Sequence, residues 1–262
     1  MGEKDGAPGG AGTGLPASIE AAWGLRERPV KGPRPGLSLD RIVAAAMAIA
    51  AAEGVSAVSM GRVAKELGAS TMALYRYVSA KDELYVLMQE AAMGPPVALP
   101  ALETGAGWRE AISQWALAQR DVFHRNLWVL RIPIQGPPAS PHSVAWWEQG
   151  LQALDGSGLH EGDKISAILL VGGFVRSEAL LMSDLAAAVE ARGVPAQDVM
   201  AAWEHTVNRL IDPVRHPALS RLMASGVMSD PDEPDYEFTF GLERILDGLD
   251  VLVRRRRAED GA

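Results

Sequence analysis

The sequence predicts an all-α protein built as a small N-terminal domain followed by a larger C-terminal one. Every periodic segment repeats its apolar residues at intervals of three or four, which is the spacing of one helix face. No segment of useful length alternates apolar and polar residues as a half-buried strand does. Capping residues, glycines and prolines then divide the chain into successive helices.

The first two helices of the small domain are expected near residues 38–53 and 59–67. The first begins near Ser38 and ends at Glu53, with a broad apolar face that includes Ile42. Ser59 is placed to cap the second helix. Gly68 is placed to end it, because glycine adopts the left-handed backbone that closes many helices.

A third helix is expected from about Thr71 to Val78. Leu74 and Val78 are four residues apart and face inward, whereas Met72 and Arg76 lie on the opposite side. Two short helices joined by a tight glycine turn, with polar and aromatic groups on the outer side of the second, form a helix-turn-helix. Such a motif places its second helix in the major groove of DNA.

A fourth helix should cover about Ala80–Met93, with Ser79 as its N-cap and Asp82 completing a capping box. Pro95 and Pro96 then interrupt the chain. We therefore expect four parts along the sequence. They are a disordered N-terminal arm with a basic tip at residues 1–36, a helix-turn-helix domain at 37–93, a helical domain at 94–257 and a disordered tail at 258–262.

The net charge of −8 is distributed unevenly along the chain. Residues 25–92 carry nine Lys and Arg against seven Asp and Glu, whereas residues 93–262 carry fifteen against twenty-three. The positive part coincides with the helix-turn-helix and its leading arm, as attraction to phosphates requires. The acidic remainder should face away from the duplex.

The block Leu39–Met93 resembles the DNA-binding domain of the TetR family of bacterial transcriptional regulators. Its matching segments are Ala52-Glu53-Gly54, Val63–Gly68, Ala73–Val78 and Lys81-Asp82-Glu83-Leu84. The rest of the chain is similar to the family's helical ligand-binding half, in particular to the tetracycline-repressor branch, through the pattern at Phe238–Leu249. The resemblance implies a homodimeric, cytoplasmic regulator that binds operator DNA.

DNA recognition should depend on the third helix and its neighbours. Arg76 could make a bidentate contact to guanine, or it could contact phosphate or remain solvated. Arg62 could equally be only a solvated side chain, and the tyrosine rings could partly be packing. The resemblance assigns phosphate contacts to the positions of Tyr75, Tyr77 and Lys81. The complete predicted set in this domain is Ser59, Arg62, Ser70, Thr71, Met72, Ala73, Tyr75, Arg76, Tyr77 and Lys81.

The leader adds four cations to these candidates. Two interpretations of this stretch remain open: an arm that follows the DNA into the minor groove, or a solvated leader. Ile19 and Trp23, earlier in the leader, hint at a short helix. The four cations are Arg26, Arg28, Lys31 and Arg34.

Seven tryptophans are more than a core of this size needs, and five of them fall in the larger domain's first helices. As a set they predict an aromatic cavity that binds a hydrophobic or aromatic small molecule. For any single one, ordinary core packing is the competing interpretation. Arg176 could orient a ligand or form an ion pair at a dimer interface. The predicted ligand residues are Trp115, Phe123, His124, Trp128, Trp146, Trp147, Leu170, Phe174, Arg176 and Met182.

Dimerisation is expected through two helical segments, Ile165–Asp184 and Phe238–Val253, which would form a four-helix bundle with their symmetry mates. The last segment carries a long apolar stripe. The basic run Arg254–Arg257 that follows it is explained by its position at a helix C-terminus, where cations complement the helix dipole. We do not assign this run to DNA.

Several other sites and partners are not expected. The chain has no cysteine and its five histidines show no ligand spacing, so we predict no metal and no cofactor. Tetracycline repressors hold a magnesium–drug complex through a histidine whose place is taken here by residues near Arg131, which argues against magnesium–tetracycline. No apolar run reaches the length of a membrane span and no signal peptide is visible, so no membrane partner is expected.

These observations favour a ligand-responsive transcriptional regulator, in which an effector releases the protein from its operator. Two alternatives belong to other classes. An effector-independent architectural DNA-binding protein would have a filled core and no cavity. An enzyme would need a nucleophile–base pair, a phosphate loop or a metal cluster, and none of these is recognisable in the sequence.

Overall fold

A computed structural model describes residues 14–25, 37–134, 136–229 and 235–260, and these residues form α-helices and short 3₁₀ turns without a β-strand. The first half contains α1 (Ala17–Ala22), α2 (Leu39–Glu53), α3 (Met60–Glu66), α4 (Thr71–Tyr75), α5 (Lys81–Met93), α6 (Pro100–Thr104) and α7 (Trp108–Arg125). The second half contains α8 (Pro141–Ala153), α9 (Glu161–Glu190), α10 (Ala196–Leu210), α11 (Pro217–Ala224) and α12 (Tyr236–Asp260). The all-α prediction is confirmed.

The chain divides into two compact units. One comprises Met1–Ala106 with Asp121–Ala153, and the other comprises Gly107–Arg120 with Leu154–Ala262. This division differs from the boundary expected at residue 93, because α8 packs against α5 and so joins the N-terminal unit. Helix α7 contributes residues to both units.

Three serines begin the first three of the small domain's four helices. The Oγ atoms of Ser38, Ser59 and Ser70 accept the backbone N–H groups of Arg41, Arg62 and Ala73, at 3.2, 3.1 and 3.2 Å. Each bond satisfies a donor that the first turn of a helix leaves free. The serines therefore fix where α2, α3 and α4 start, close to where the sequence predicts.

Gly68 makes the turn between α3 and α4. Its φ of +62° is in the left-handed region, and the N–H of Ala69 reaches back to the carbonyl of Ala64 at 2.9 Å. Leu74 and Val78 then enter the core with no exposed surface, beside Ile42, Val63 and Leu84. The helix-turn-helix thus has its own apolar core.

Two expectations about this unit need correction. The N-cap of α5 is Ala80, not Ser79, and its side chain makes no cap bond; instead Glu83 accepts the N–H of Ser79 at 2.6 Å. The recognition helix α4 ends at Tyr75, so Arg76, Tyr77 and Val78 lie in the turn after it. A residue at a C-cap can still point outward, as Arg76 does.

The short helix at which Ile19 and Trp23 hint is present, within a leader otherwise expected to be disordered. Residues 17–22 form α1, which packs against α5, and the indole N–H of Trp23 donates to the carbonyl of Ala139 at 2.8 Å. At the other end of the chain α12 continues to Asp260, so residues 258–260 are helical where a disordered tail was expected. Arg256 binds Glu259 across that last turn at 2.9 Å, which supports the extra residues.

In the C-terminal unit α9 and α12 pack side by side. Phe174 of α9 stacks on Phe238 of α12 with ring centroids 5.6 Å apart. Gly241 makes this possible, since a Cβ there would lie 2.5 Å from the Cζ of Phe174. Arg109 of α7 binds Glu243 and Asp247 of α12, and Arg256 of α12 binds Asp163 of α9 at 2.7 Å.

The sequence shows no apolar run as long as a membrane span, but α9 is long and apolar enough to cross a membrane by length and composition alone. Helix α9 has 30 residues and a mean hydropathy of 1.7 over its most apolar stretch, of which 28% is buried in the described structure. The same helix carries Arg176 and Glu178 in its apolar middle. Its apolar surface is therefore larger than the sequence argument allowed, and needs an explanation.

Candidate nucleic-acid interface and ligand region

The outer surface of the helix-turn-helix is formed by α4 and the turn after it. Met72 is 75% exposed and Tyr75 is 45% exposed, and Arg76 is also exposed. The intervening Leu74 is completely buried. Because the buried side chain fixes the rotation of the helix, the outward residues have a defined direction. Thr71 and Ala73 flank them and are half-buried.

Tyr77 differs from its neighbours. Its hydroxyl donates to the backbone carbonyl of Leu37 at 3.1 Å, just before α2. The ring is half-buried. Tyr77 therefore ties the end of the recognition segment to the start of the first helix, a role that the sequence analysis left open as packing.

Arg62 is held by two carboxylates of the same domain. Its guanidinium binds Glu53 and Glu66, each at 2.8 Å. The hydrogen bond to Glu66, followed by the one to Glu53, raises the pKa of Arg62. Its Nη1 and Nη2 groups therefore already donate to carboxylates of the same domain, which leaves fewer donors for a phosphate. The geometry favours the interpretation of Arg62 as a surface side chain of α3.

Lys81, Ser59 and Ser70 keep polar groups at the surface. The ammonium of Lys81 lies 5.1 Å from the ring centroid of Tyr85, and Lys81 is exposed at the first position of α5. The Oγ atoms of the two serines accept capping bonds, which leaves their hydroxyl hydrogens able to donate to a phosphate. The four leader cations Arg26, Arg28, Lys31 and Arg34 lie outside the described residues.

The ten predicted ligand residues are divided equally between the two compact units. In the N-terminal unit Phe123, Trp128 and Trp146 are buried, Trp147 is half-buried and His124 is exposed. The indole N–H of Trp146 donates to the carbonyl of Gly94 at 3.0 Å. This bond gives Trp146 a structural role that the tryptophan count alone could not show.

In the C-terminal unit Trp115 is buried on α7 and faces Gly172 of α9, whose ideal Cβ position lies 3.7 Å from the indole ring. Phe174 and Arg176 are half-buried, and burial lowers the pKa of the Arg176 guanidinium. Leu170 and Met182 are largely exposed. Trp115 and Phe174 therefore lie in the packed part of this unit, whereas Leu170 and Met182 lie at its surface.

A half-open pocket of about 180 Å³ in this unit is lined by an ion-pair cluster that the sequence did not predict. Arg120 binds Glu178 at 3.2 Å and Asp235 at 2.7 Å, and its guanidinium lies 4.3 Å from the ring centroid of Phe238. Burial opposes the charged form, but these hydrogen bonds outweigh it and raise the pKa of Arg120. Met182, alone among the predicted ligand residues, lines this pocket, together with Arg120, Glu178, Asp235, Tyr236, Glu237 and Phe238.

The signal that could have found the cluster was weak. Glu178 lies on α9, its partner Arg120 is on α7, and Asp235, the second partner of Arg120, follows a distant loop. Sequence separation of 58 and 115 residues hides such pairs from periodicity arguments. Asp235 also has a φ of +67°, which is uncommon for a residue other than glycine.

The remaining charged candidates have structural partners. Arg257 donates to the carbonyls of Ser157 and Gly156 at 2.8 and 3.0 Å, Arg254 pairs with Asp250, and Arg256 pairs with Asp163. The basic run thus anchors the end of α12, which agrees with leaving it out of the DNA interface. Within the residues that the structure describes, no three His, Asp or Glu side chains group as metal ligands would.

Comparisons with known proteins agree with this arrangement. Residues 42–88 match the family described as bacterial regulatory proteins, tetR family, and residues 99–253 match the tetracyclin repressor-like C-terminal domain. The transcriptional repressor DrrR1 of Streptomyces coeruleorubidus is 36% identical over 243 residues, which cover 92% of this chain and 88% of that protein.

Two solved structures of ActR from Streptomyces coelicolor have the same fold. The apo form has a TM-score of 0.70 at 30% identity and covers 85% of this chain and 99% of its own. The complex with actinorhodin has a TM-score of 0.69 at 30% identity, with 82% and 96% covered. These relatives are transcriptional regulators and not enzymes, which confirms the expectation that this protein is not an enzyme. The chain belongs to the TetR family of bacterial transcriptional regulators.

Proposed function

We propose that this protein is a homodimeric repressor that binds operator DNA through α4 and leaves it when a hydrophobic or aromatic small molecule binds. The observation that carries the DNA-binding part is the surface formed by Met72, Tyr75 and Arg76. These side chains point outward from a serine-capped helix whose opposite side is buried. A rigid, outward-facing set of this kind suits insertion into a major groove.

Within this proposal the predicted DNA residues take different roles. Arg76 reads a guanine or meets a phosphate, whereas Tyr75, Thr71 and Lys81 contact the backbone. Ser59 and Ser70 combine capping with a phosphate contact. Tyr77 mainly positions the segment through Leu37, and Arg62 contributes least because Glu53 and Glu66 already hold it. The leader cations supply additional phosphate contacts.

A pair of matched arginine variants tests the interface. Arg76→Ala should weaken binding to a promoter fragment from upstream of the protein's own gene by roughly 10-fold or more, since one good base contact is worth about 1–3 kcal/mol. Arg62→Ala, in the same domain but held by two carboxylates, serves as the control and should change affinity by less than about threefold. Equal losses in both variants would mean that the assignment of roles is wrong.

A salt titration of the wild-type protein addresses the phosphate contacts. The logarithm of the binding constant should fall linearly with the logarithm of salt concentration, because bound cations release counterions from DNA. Binding to the promoter fragment that does not respond to salt would contradict the proposed interface.

The dimer is supported by the apolar residues that one chain leaves exposed. On α9, Leu169, Gly173, Ser177, Leu181 and Leu185 form one row at intervals of four residues, which winds gradually around the helix, and all five are exposed. On α12, Phe240 is 49% exposed and Val251 is also exposed. An apolar stripe of this length is costly in water, and a second copy of α9 and α12 would cover it as a four-helix bundle.

The structure modifies one part of that dimer prediction. Leu242, Leu246, Leu249 and Val253 of the α12 stripe are already buried within the chain. The partner would therefore contact the other side of α12, around Phe240 and Val251. The same dimer explains why α9 is apolar enough for a membrane, so we propose a soluble cytoplasmic protein with no membrane partner.

Effector control is supported by the ActR relative, which was solved with actinorhodin. Among the predicted ligand residues, we propose Trp115, Phe174 and Met182 of the C-terminal unit as effector contacts; Phe174 also stacks on Phe238, and Met182 lines the pocket beside Arg120. A ligand acts by binding the DNA-incompetent conformation more tightly than the other. Titration of the protein–promoter complex with actinorhodin as the first probe, followed by tryptophan fluorescence, tests this step. A DNA-binding protein that no aromatic molecule releases would instead be an architectural one.

A further inference from the structure

The end of α5 is held to α8 by a regular set of hydrogen bonds that nothing in the family assignment requires. The Nδ1 of His142 lies 2.9 Å from the carbonyl oxygen of Glu90, the indole N–H of Trp146 donates to the carbonyl of Gly94 at 3.0 Å, and the Nε2 of Gln149 donates to the carbonyl of Val97 at 2.6 Å. We call these three bonds the α8 clamp. Each joins residues that are 52 positions apart in the sequence.

The constant separation shows that α8 follows the end of α5 in one register. His142, Trp146 and Gln149 are spaced by four and three residues and so share one face of α8. Their acceptors are carbonyls at and beyond the last turn of α5, which ends at Met93 with Gly94 as its C-cap. The carbonyl of Glu90 already accepts the N–H of Gly94, whereas those of Gly94 and Val97 lie past the end of the helix and need a partner elsewhere. Side chains of α8 provide it.

Glu90 completes the attachment from the opposite direction. Glu90 is only 8% exposed. Its Oε1 accepts the backbone N–H of His142, in the first turn of α8, at 2.8 Å. A carboxylate at that position also interacts favourably with the positive end of the α8 dipole. Each helix therefore satisfies free backbone groups at the end of the other, and neither can shift along its axis without losing bonds.

Helix α5 is also the support of the DNA-reading motif. In the first turn of α5, Glu83 accepts the N–H of Ser79, which lies in the segment after α4, at 2.6 Å. The hydroxyl of Tyr85 donates to the carbonyl of Val55 at 3.4 Å. Leu84 and Met88 lie fully buried in the same core. The position of α5 therefore affects the position of α4, and the clamp holds the end of α5, which also packs against α1 and α2.

We infer that His142, Trp146 and Gln149 are positioning residues for DNA binding, acting through α5 on the recognition helix, and that the N-terminal unit moves as one body that includes α8. This inference extends the DNA-binding role and does not depend on which effector is used.

Matched glutamine variants on α8 test the clamp. Gln149→Ala removes the bond to Val97, whereas Gln152→Ala, three residues later, removes only a bond to Glu148 within the same helix. Loss of one clamp bond lowers the fraction of protein with α5 correctly placed, and apparent affinity falls with that fraction. Promoter affinity at 20 °C should weaken about 3- to 10-fold for Gln149→Ala and less than about twofold for Gln152→Ala.

Trp146→Phe provides the second variant, because it keeps an aromatic ring at this buried position and removes the N–H that binds Gly94, together with part of the indole volume. It should weaken promoter binding to a similar extent, under conditions where thermal unfolding shows both variants folded. A fall in Tm with unchanged promoter affinity in both variants would show a purely structural role and overturn the inference. Failure of the wild-type protein to bind the promoter would instead refute the proposed DNA interface, so the two failures are distinguishable.

Discussion

Large side chains are exposed to water on two surfaces, around α4 and along α9. The two surfaces differ in whether those side chains carry polar groups. Around α4 the outward residues include Tyr75 and Arg76, whose polar groups remain hydrated until DNA replaces the water. Along α9 they are Leu169, Leu181 and Leu185, which have no polar group to hydrate. The first surface is therefore compatible with water when no DNA is bound, whereas the second is the kind of apolar surface for which we propose a partner subunit.

The largest effect is expected on dimerisation, when charges are placed on α9. Leu181→Asp combined with Leu185→Asp should weaken dimerisation by at least about 100-fold, because two carboxylates would be buried without partners. Sedimentation equilibrium should then find monomers at micromolar concentrations. Leu210→Asp, at a residue of α10 that is 75% exposed, is the control and should leave the dimer intact. A double variant that remains dimeric would place the interface elsewhere.

The next largest effect is expected on stability, where α9 packs against α12. Gly241→Ala would put a methyl group 2.5 Å from the Cζ of Phe174, so we expect about 2–3 kcal/mol of destabilisation from overpacking. Gly248→Ala lies on the same helix, where a Cβ meets nothing within 4 Å, and should stabilise by up to about 1 kcal/mol. Chemical denaturation measures both. Identical behaviour of the two variants would contradict the packing of Phe174 against α12.

A smaller effect distinguishes the two roles that Arg76 can have on the polar surface. Arg76→Lys keeps the positive charge but loses the planar fork that contacts guanine through two bonds. If Arg76 reads a base, preference for the promoter over unrelated DNA should fall about 10-fold while non-specific affinity stays nearly unchanged. Competition binding with both DNAs measures this, and an unchanged preference would assign Arg76 to phosphate.

The smallest effect concerns pH and the ion pair between Asp163 and Arg256. The hydrogen bond from Arg256 lowers the pKa of Asp163, so the pair stabilises the fold above the ordinary pKa of aspartate, near 4, and the contribution is lost as pH falls further. Asp163→Asn should make Tm fall less steeply below about pH 4. Asp121→Asn, an exposed aspartate outside this pair, should leave the acid limb as in the wild type.

Most of the small domain could be predicted because its determinants are local. Ser38, Ser59 and Gly68 act on backbone groups within four residues, and Leu74 with Val78 defines a face by spacing alone. The prediction was less accurate where two candidates compete over one or two positions, as Ser79 and Ala80 do at the start of α5. Local sequence tolerates such shifts, and only packing decides between them.

The sequence by itself determined that this chain is helical, where its DNA-reading motif begins and turns, and which residues of that motif point outward. Tertiary structure alone decided that Trp146 bonds to Gly94, that Arg62 is held by Glu53 and Glu66, and that Arg120 joins Glu178 to Asp235. Helix periodicity and capping depend on neighbours in the chain, which a sequence displays. Hydrogen bonds between residues far apart in the chain depend on how helices pack, which no local pattern records.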